Sequence, residues 1–399
     1  MLHSLVTFLG KSRLDPKTGY SLTTYRFEDG STEQTPFFGL ALARHISPDR
    51  LVILGTASST WDLLAEHVVP SASEEDLRLE LIYATADGRV TQQLLDRCSE
   101  LIARALGCAC ALRLMRFGQG ASEQMEILHT VAAAIPEGRV SFDLTHGFRH
   151  LAALGLLSAF FLERVAHIEI AGLYYGAWDM KQGSVTPVVR LDGLHAIQRW
   201  IDALDRFDAS GDYGVFADLL VADGVAPEHA RCLERAAFYE RTSNAGRARE
   251  QILTFLNFLE DGLPGTAKLF EDRLRERLAW ARSSTLSEHQ RHLARVYLAR
   301  GDFLRAAIFG WEAVITRECE RRNYDVHEFE GGRASAEEEV EAELREGRSG
   351  LGKAYWKLKD LRNGLAHGNP ARRKDVQNIL SDDQRLPREL QELFGELRL

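Results

Sequence analysis

Short apolar runs of β-favouring residues alternate with longer amphipathic stretches through the first half of the chain. Leu5–Leu9, Leu51–Leu54, Leu79–Tyr83, Ala111–Met115, Val140–Leu144 and Ile168–Tyr175 have the length and residue types of strands. Between them, segments such as Val90–Leu106 and Glu123–Ala134 repeat their apolar residues at helical spacing. That alternation predicts a parallel, doubly wound sheet covered on both faces. A last pair, Ile168–Tyr175 and Val185–Leu191 with Asp179–Gly183 between them, predicts a hairpin closing the sheet. Beyond about Asp192 the strand signal stops, and amphipathic helices follow, punctuated at Gly211, Gly224, Pro227, Gly262, Pro264 and Gly301. The expected fold class is therefore an α/β half followed by an all-α half. The acidic stretch Glu330–Gly350, with Glu337, Glu338, Glu339, Glu341 and Glu343, reads as a solvated surface segment.

A length of 399 residues suits two or three domains, and 45% hydrophobic with 27% charged residues suits a folded chain. The net charge of -9 excludes a protein that coats nucleic acid by bulk positive charge. Any such contact must be local. The 5 cysteines are scattered without paired spacing, which argues against a disulfide framework or structural zinc and fits a cytoplasmic protein. The apolar run after Met1 is too short for a secretory signal, and no stretch approaches the ~20 apolar residues that span a membrane.

In a doubly wound sheet, ligands collect outside the carboxyl ends of the strands where strand order reverses. The residues at those ends are small and polar: Gly10-Lys11-Ser12 after the first strand, Gly55-Thr56-Ala57-Ser58-Ser59-Thr60 after the second, Gly118-Gln119-Gly120 after the fourth, and Asp143-Leu144-Thr145-His146-Gly147-Phe148-Arg149-His150 at the fifth. Backbone N–H groups, hydroxyls, a lysine and an arginine without a paired nucleophile and base suit phosphate or nucleotide binding. Neither a dinucleotide fingerprint nor a P-loop is present. Helix capping is the structural alternative for Asp143, Thr145, Ser58 and Thr60. His146 and His150 have the spacing of a zinc pair but no convincing third ligand, so no metal site is expected.

The block Phe142-Asp-Leu-Thr-His-Gly-Phe-Arg149, with Gly55-Thr-Ala-Ser-Ser59 before it and Tyr174-Tyr-Gly-Ala-Trp178 after it, resembles the CARF domains of type III CRISPR ancillary proteins over about residues 1–190. The resemblance implies a Rossmann-like homodimer, or a higher assembly of it, whose two subunits share one pocket for a cyclic oligoadenylate. By the same resemblance, the expected ring is cyclic tetra-adenylate. It further implies that Thr56, Ser58, Ser59, Thr145, His146, Gly147 and Arg149 contact the ring.

An Arg and a His separated by four residues mark HEPN ribonucleases, yet with 41 Arg and 13 His about one such match arises by chance. Three occur: Arg190 with His195, Arg322 with His327, and Arg362 with His367. The first lies at the junction of the two halves, and the second runs into the acidic Glu328-Phe-Glu330. The third, Arg362-Asn363-Gly-Leu-Ala-His367, follows an amphipathic segment and is flanked by Lys353, Lys357, Lys359, Arg372, Arg373 and Lys374, a local surface for phosphate. It resembles the Arg-Asn-x-x-x-His block of HEPN domains, and the helix around Glu312 is similar to one that packs beside the active site in that family.

Together the two resemblances divide the chain into a CARF ligand-sensing domain (1–192), a helical connector (193–300) and a HEPN domain (301–399). They imply a metal-independent endonuclease for single-stranded RNA, switched on by the cyclic oligoadenylate in antiviral defence, with no other cofactor. The substrate's own 2′-hydroxyl is then the nucleophile, leaving a 2′,3′-cyclic phosphate and a 5′-hydroxyl. Arg362 would stabilise charge, His367 move protons, and Asn363 hold His367 or the phosphate. The competing readings are a non-catalytic sensor acting through a partner protein, and a CARF domain that degrades its own activator with Lys11, Ser12 or His146.

Overall fold

The computed structural model describes all residues except 12–13, 16–18, 21, 70–73, 136, 348 and 369–372, so Ser12 and Arg372 lie outside the described residues. The chain divides into two compact units, Met1–His195 and Ala196–Leu399.

The first unit is built on an eight-stranded sheet. In chain order its elements are β1 (His3–Leu9), the short pair β2 (Leu14–Asp15) and β3 (Gly19–Tyr20), β4 (Thr23–Arg26), β5 (Thr32–Thr35), α1 (Phe38–Ile46), β6 (Arg50–Gly55), α2 (Trp61–Val68), α3 (Glu75–Ala86), α4 (Gln92–Leu106), β7 (Ala109–Leu114), α5 (Ala121–Ala134), β8 (Arg139–Asp143), α6 (Arg149–Val165), β9 (Glu169–Gly176) and β10 (Val185–Arg190). Sheet order is β5-β4-β10-β9-β8-β1-β6-β7, with β2 and β3 pairing separately. β1 lies between β6 and β8 and parallel to both, in registers that set Leu5 beside Leu51 and Thr7 beside Asp143.

Every residue of β1 is buried, which is why Leu5-Val-Thr-Phe-Leu9 shows no strict apolar–polar alternation. One apolar layer packs α1 to α4 on one face of the sheet, and a second packs α5 and α6 on the other. The expected hairpin forms, β10 running antiparallel to β9.

Three sequence expectations are corrected. Leu79–Tyr83 is not a strand but part of α3, where Leu77 and Leu81, four apart, are the buried residues while Leu79 and Tyr83 are exposed. β5 at the sheet edge and β4 beside it carry no apolar run and gave no strand signal. The β9–β10 hairpin does not close the sheet, which β4 and β5 continue beyond β10.

The second unit is helical. It comprises most of α7 (Asp192–Ser210), then α8 (Ala217–Ala222), α9 (Pro227–Arg241), α10 (Ala245–Phe258), α11 (Glu271–Leu278), α12 (Leu286–Ala299), α13 (Phe303–Arg322), α14 (Ser335–Arg345), α15 (Gly352–His367), α16 (Lys374–Leu380) and α17 (Arg385–Glu396). A single apolar core runs through it from Trp200 to Leu399. The acidic stretch is not merely a solvated segment. Within α14, Ala336 and Val340 are buried. Its glutamates are ion-paired, Glu337 and Glu341 to Lys359 and Glu339 and Glu343 to Arg322. No helix among the described residues is long and apolar enough to cross a membrane.

Candidate functional sites

The sheet places β1 at the point where connections turn from one side to the other, so the segments after β1, β6 and β8 converge. They form a cleft of about 200 Å³ lined by Leu9, Gly10, Lys11, Thr56, Ser58, Ser59, Met115, Gly147, Phe148 and Leu151. A glycine at position 10 is required by the close approach of the two loops, since a Cβ there would sit 2.9 Å from the Gly147 nitrogen. Gly147 itself adopts a left-handed φ of 99°.

Hydroxyls knit the rim together. Ser59 Oγ donates to the Leu9 carbonyl at 2.6 Å and accepts from the Thr56 N–H at 2.9 Å. Thr60 Oγ1 donates to the Gly10 carbonyl at 3.1 Å, and the Trp61 indole donates to the Thr56 carbonyl at 2.9 Å. Thr56 and Ser59 are buried, whereas Ala57 and Ser58 are half-buried beside them. Ser58 and Lys11 are thus the polar side chains best presented to a ligand.

The remaining expected contacts separate into supports and free groups. Asp143 is fully buried and accepts from Thr7 Oγ1 at 2.5 Å and from the Thr145 N–H at 2.8 Å. Thr145 Oγ1 accepts from the Gly176 N–H at 2.7 Å, which ties the loop to β9. His146 Nε2 accepts from the Phe38 N–H at 3.0 Å. Burial pushes the Asp143 carboxyl up, against opposing interactions from His146, Thr145 and Thr7. Burial likewise pushes His146 down, so both are driven toward their uncharged forms. These three side chains brace the loop and do not line the cleft. Neither do they cap helices: Phe148 precedes α6 and Thr60 precedes α2 without a side-chain capping bond.

Gly118 is also a support, since Glu123 Oε2 takes the N–H groups of Gly118 and Gln119 at 3.0 and 3.1 Å, while Gly120 is the exposed N-cap of α5. His150 donates from Nε2 to the Phe117 carbonyl at 2.7 Å. No three potential metal ligands come together among the described residues. Arg149 opens α6, exposed and without a described carboxylate partner. Sequence reasoning missed Phe148, a half-exposed ring 6.0 Å from Phe117 and suited to stacking on a base. Its signal was an aromatic residue set between Gly147 and Arg149 at a loop end.

The three Arg–His matches, one in the first unit and two in the helical unit, have different fates. Arg190 pairs with Asp192 at 2.7 Å, and His195 bonds Glu163 at 2.8 Å. The Arg322 side chain is 8% exposed and is bound by Glu318, Glu339 and Glu343, so it is a structural cation. Arg362 is half-buried, has no described carboxylate partner, and donates from Nη1 to Asn363 Oδ1 at 2.8 Å. Its guanidinium lies over the ring of Trp311 on α13, 5.4 Å from the centroid.

α15 is anchored by Ala354, Tyr355, Leu358 and Leu361 and ends at Gly368 in a left-handed C-cap. His367 is therefore exposed at the last helical position. Five residues along a helix turn a side chain by about 140°, so Arg362 and His367 of one chain project in different directions.

The basic flank is smaller than the residue count suggested. Lys357 pairs with Glu389, Lys359 with Glu337 and Glu341 at 2.8 and 2.5 Å, and Arg373 with Asp375 at 2.6 Å. Lys353 and Lys374 remain exposed. Glu312 accepts from Arg333, which also donates to Thr316 Oγ1 at 2.8 Å, so it is neither a bare surface carboxylate nor shown in contact with Arg362.

Residues 4–178 match the family model described as "CRISPR system endoribonuclease Csx1, CARF domain". The chain is 23% identical over 284 residues to the CRISPR-associated protein MJ1674 of Methanocaldococcus jannaschii, an alignment covering 65% of this chain and 44% of that protein. The chain thus spans less than half the length of that relative. A solved structure, Enterococcus italicus Csm6 bound to cyclic hexa-2′-fluoro-hexa-dAMP, aligns over 99% of this chain and 95% of its own with a TM-score of 0.38 and 15% identity.

Proposed function

We infer, from a CARF-type domain of the Csx1 kind in the first half and the free Arg362 with His367 in the second, that this chain is a cyclic-oligoadenylate-activated endonuclease for single-stranded RNA in CRISPR defence. The CARF match supports the ligand class. The observation that carries the ribonuclease half is the contrast among the three Arg–His pairs: two arginines are held by carboxylates, and Arg362 alone of the three is left to meet a phosphate.

The cleft supports a shared ligand site. At about 200 Å³ it is smaller than a typical ligand pocket of 300–1,000 Å³, so a cyclic oligonucleotide needs two such clefts across a two-fold axis, each copy offering the same surface. Lys11, Ser58 and Arg149 take phosphates, and Phe148 stacks on an adenine.

The same symmetry serves the RNA site, where His367 of one copy works beside Arg362 of the other. Arg362 stabilises the charge of the phosphorane-like transition state, and His367 takes the 2′-hydroxyl proton or returns one to the leaving 5′-oxygen. The nucleophile belongs to the substrate and the chemistry needs no metal. Residues 193–300 form the connector and 301–399 the ribonuclease domain, and the ring activates only in so far as it binds the active arrangement more tightly.

Degradation of the activator by His146 is disfavoured by its geometry, because Nε2 is committed to the Phe38 N–H. The test is end-group analysis of RNA cleaved with cyclic tetra-adenylate: 2′,3′-cyclic phosphate and 5′-hydroxyl termini support the reading, and 5′-phosphate termini overturn it.

A further inference from the structure

Three of the basic residues around Arg362 are neutralised by Glu337, Glu341, Glu389 and Asp375. A polyanionic strand must find its charge partners elsewhere on the helical unit. Arginines such as Arg277, Arg305 and Arg322 are spent in ion pairs there, whereas the exposed flank of α12 carries two that are not. Arg291 and Arg295, one helical turn apart, are both exposed and have no described carboxylate partner. Like charges at that spacing repel one another.

Their field is visible in neighbouring groups. Burial lowers the proton affinity of His292, and Arg295, Arg291 and Arg300 all act in the same direction. Burial also lowers that of Arg317 on α13; Glu318 opposes the shift, whereas Arg291 and Arg398 reinforce it. Arg300, Arg295 and Arg291 thus act together on His292, and Arg291 with Arg398 acts on Arg317, where Glu318 and Glu320 oppose them.

Each of these two groups borders a cleft. One of about 320 Å³ is lined by Trp280, His292, Arg277 and Arg300 among others, and one of about 510 Å³ by Arg317, Arg321 and Arg398 among others. Of the nearby carboxylates, Asp208 is matched by Arg277 at 2.8 and 2.5 Å, Glu276 by Arg273 at 2.6 Å, Glu288 by Ser284 and Thr285, Glu320 by Ser287, and Glu318 and Glu343 by Arg321 and Arg322, while Glu396 lines the larger cleft with no described basic partner. The Arg300 guanidinium stacks 4.9 Å from the Phe207 centroid, a posture that leaves its outer edge to accept a phosphate. α12 packs along α13, the helix whose Trp311 carries Arg362.

We propose that the exposed flank of α12, centred on Arg291 and Arg295, is an additional RNA-binding surface that holds the phosphates of a single strand, distinct from the Arg362–His367 pair. It rests on the ribonuclease reading for the identity of the strand. The surface reads charge and not sequence.

The test uses the full chain carrying Arg362→Ala, so that RNA is bound but not cut, and a fluorescein-labelled single-stranded oligoribonucleotide of about 20 nucleotides, followed by anisotropy between about 50 and 200 mM salt. Adding Arg291→Gln with Arg295→Gln is expected to weaken binding about fivefold or more at the lower salt. It is also expected to reduce the slope of log affinity against log salt by about 1.4, two phosphate contacts' worth for a single strand. Arg291→Lys with Arg295→Lys should keep the slope, which separates lost charge from lost fold. Affinity and slope equal to those of the parent overturn the proposal even if the wild-type chain cleaves RNA. Arginine-dependent binding in a wild-type chain that never cleaves RNA supports the surface and overturns the ribonuclease reading instead.

Discussion

Arg362 rests on Trp311: the guanidinium carbon is 5.4 Å from the indole centroid, and Trp311 is 2% exposed in the core between α13 and α15. The same ring also meets Lys359, 5.6 Å away, but Lys359 is held by Glu337 and Glu341. Burial works against the Lys359 charge and the two carboxylates outweigh it. The indole therefore orients one cation that is neutralised and one that is free. A desolvated cation–π contact is worth about 2 kcal/mol, so Trp311→Leu should slow single-turnover cleavage roughly 30-fold. Trp311→Phe should recover much of that rate. Equal rates for the Leu and Phe variants would mean that the ring does not orient Arg362.

Two Arg–His pairs in one unit call for opposite outcomes. Arg362→Ala or His367→Ala should abolish RNA cleavage while leaving activator affinity intact, and His327→Ala should be nearly silent. Arg322→Ala should instead unfold the protein at a lower temperature, because removing one partner of a buried ion network costs about 3 kcal/mol or more. Melting curves and cleavage assays on the same four variants check this. A stable Arg322→Ala protein with no activity would reverse the assignment.

Activator binding should depend on Phe148 and Arg149. Base–aromatic stacking is worth about 1–3 kcal/mol, so Phe148→Ala should weaken affinity for cyclic tetra-adenylate roughly tenfold. Arg149→Ala should weaken it as well. Isothermal titration with each variant measures this, and unchanged affinity removes the residue from the pocket.

Glu240 makes stability depend on pH. It is buried in the helical unit, accepts from the Tyr297 hydroxyl, and has its carboxyl pushed up to about 7 by burial, with Tyr297, Tyr213, Arg300 and Arg305 opposing. An unfolded chain releases this proton near the ordinary carboxylate value, so between about 4.5 and 7 the folded state holds a proton that the unfolded state has lost. Stability from this group is therefore lost as pH rises through that window. The melting temperature of Glu240→Gln relative to wild type should increase from pH 5 to pH 8. A difference that does not change with pH would show that Glu240 titrates normally.

Much of the fold was legible because buried parallel strands announce themselves. Leu5–Leu9, Leu51–Leu54 and Val140–Leu144 are buried on both faces, with Thr7, Ser141 and Asp143 the polar exceptions among apolar residues. The strand ends then located the cleft through Gly10, Ser58 and Gly147. Leu79–Tyr83 misled because a five-residue apolar run fits either period, and only the burial of Leu77 with Leu81 decides it. What stayed hidden were relations between distant residues. Nothing local showed that Glu337 and Glu389 would cancel the lysines before Arg362, or that Trp311 would lie beneath it. Such pairings belong to tertiary packing, which periodicity does not encode.

The central claim is a metal-free ribonuclease gated by a cyclic oligoadenylate. It is tested most directly by incubating the purified chain with a labelled single-stranded RNA in excess EDTA, with and without cyclic tetra- and hexa-adenylate. The expected result is cleavage in EDTA only when one of the rings is present, and none from the Arg362→Ala chain. Cleavage that requires a divalent metal, or that proceeds equally without either ring, would contradict the account.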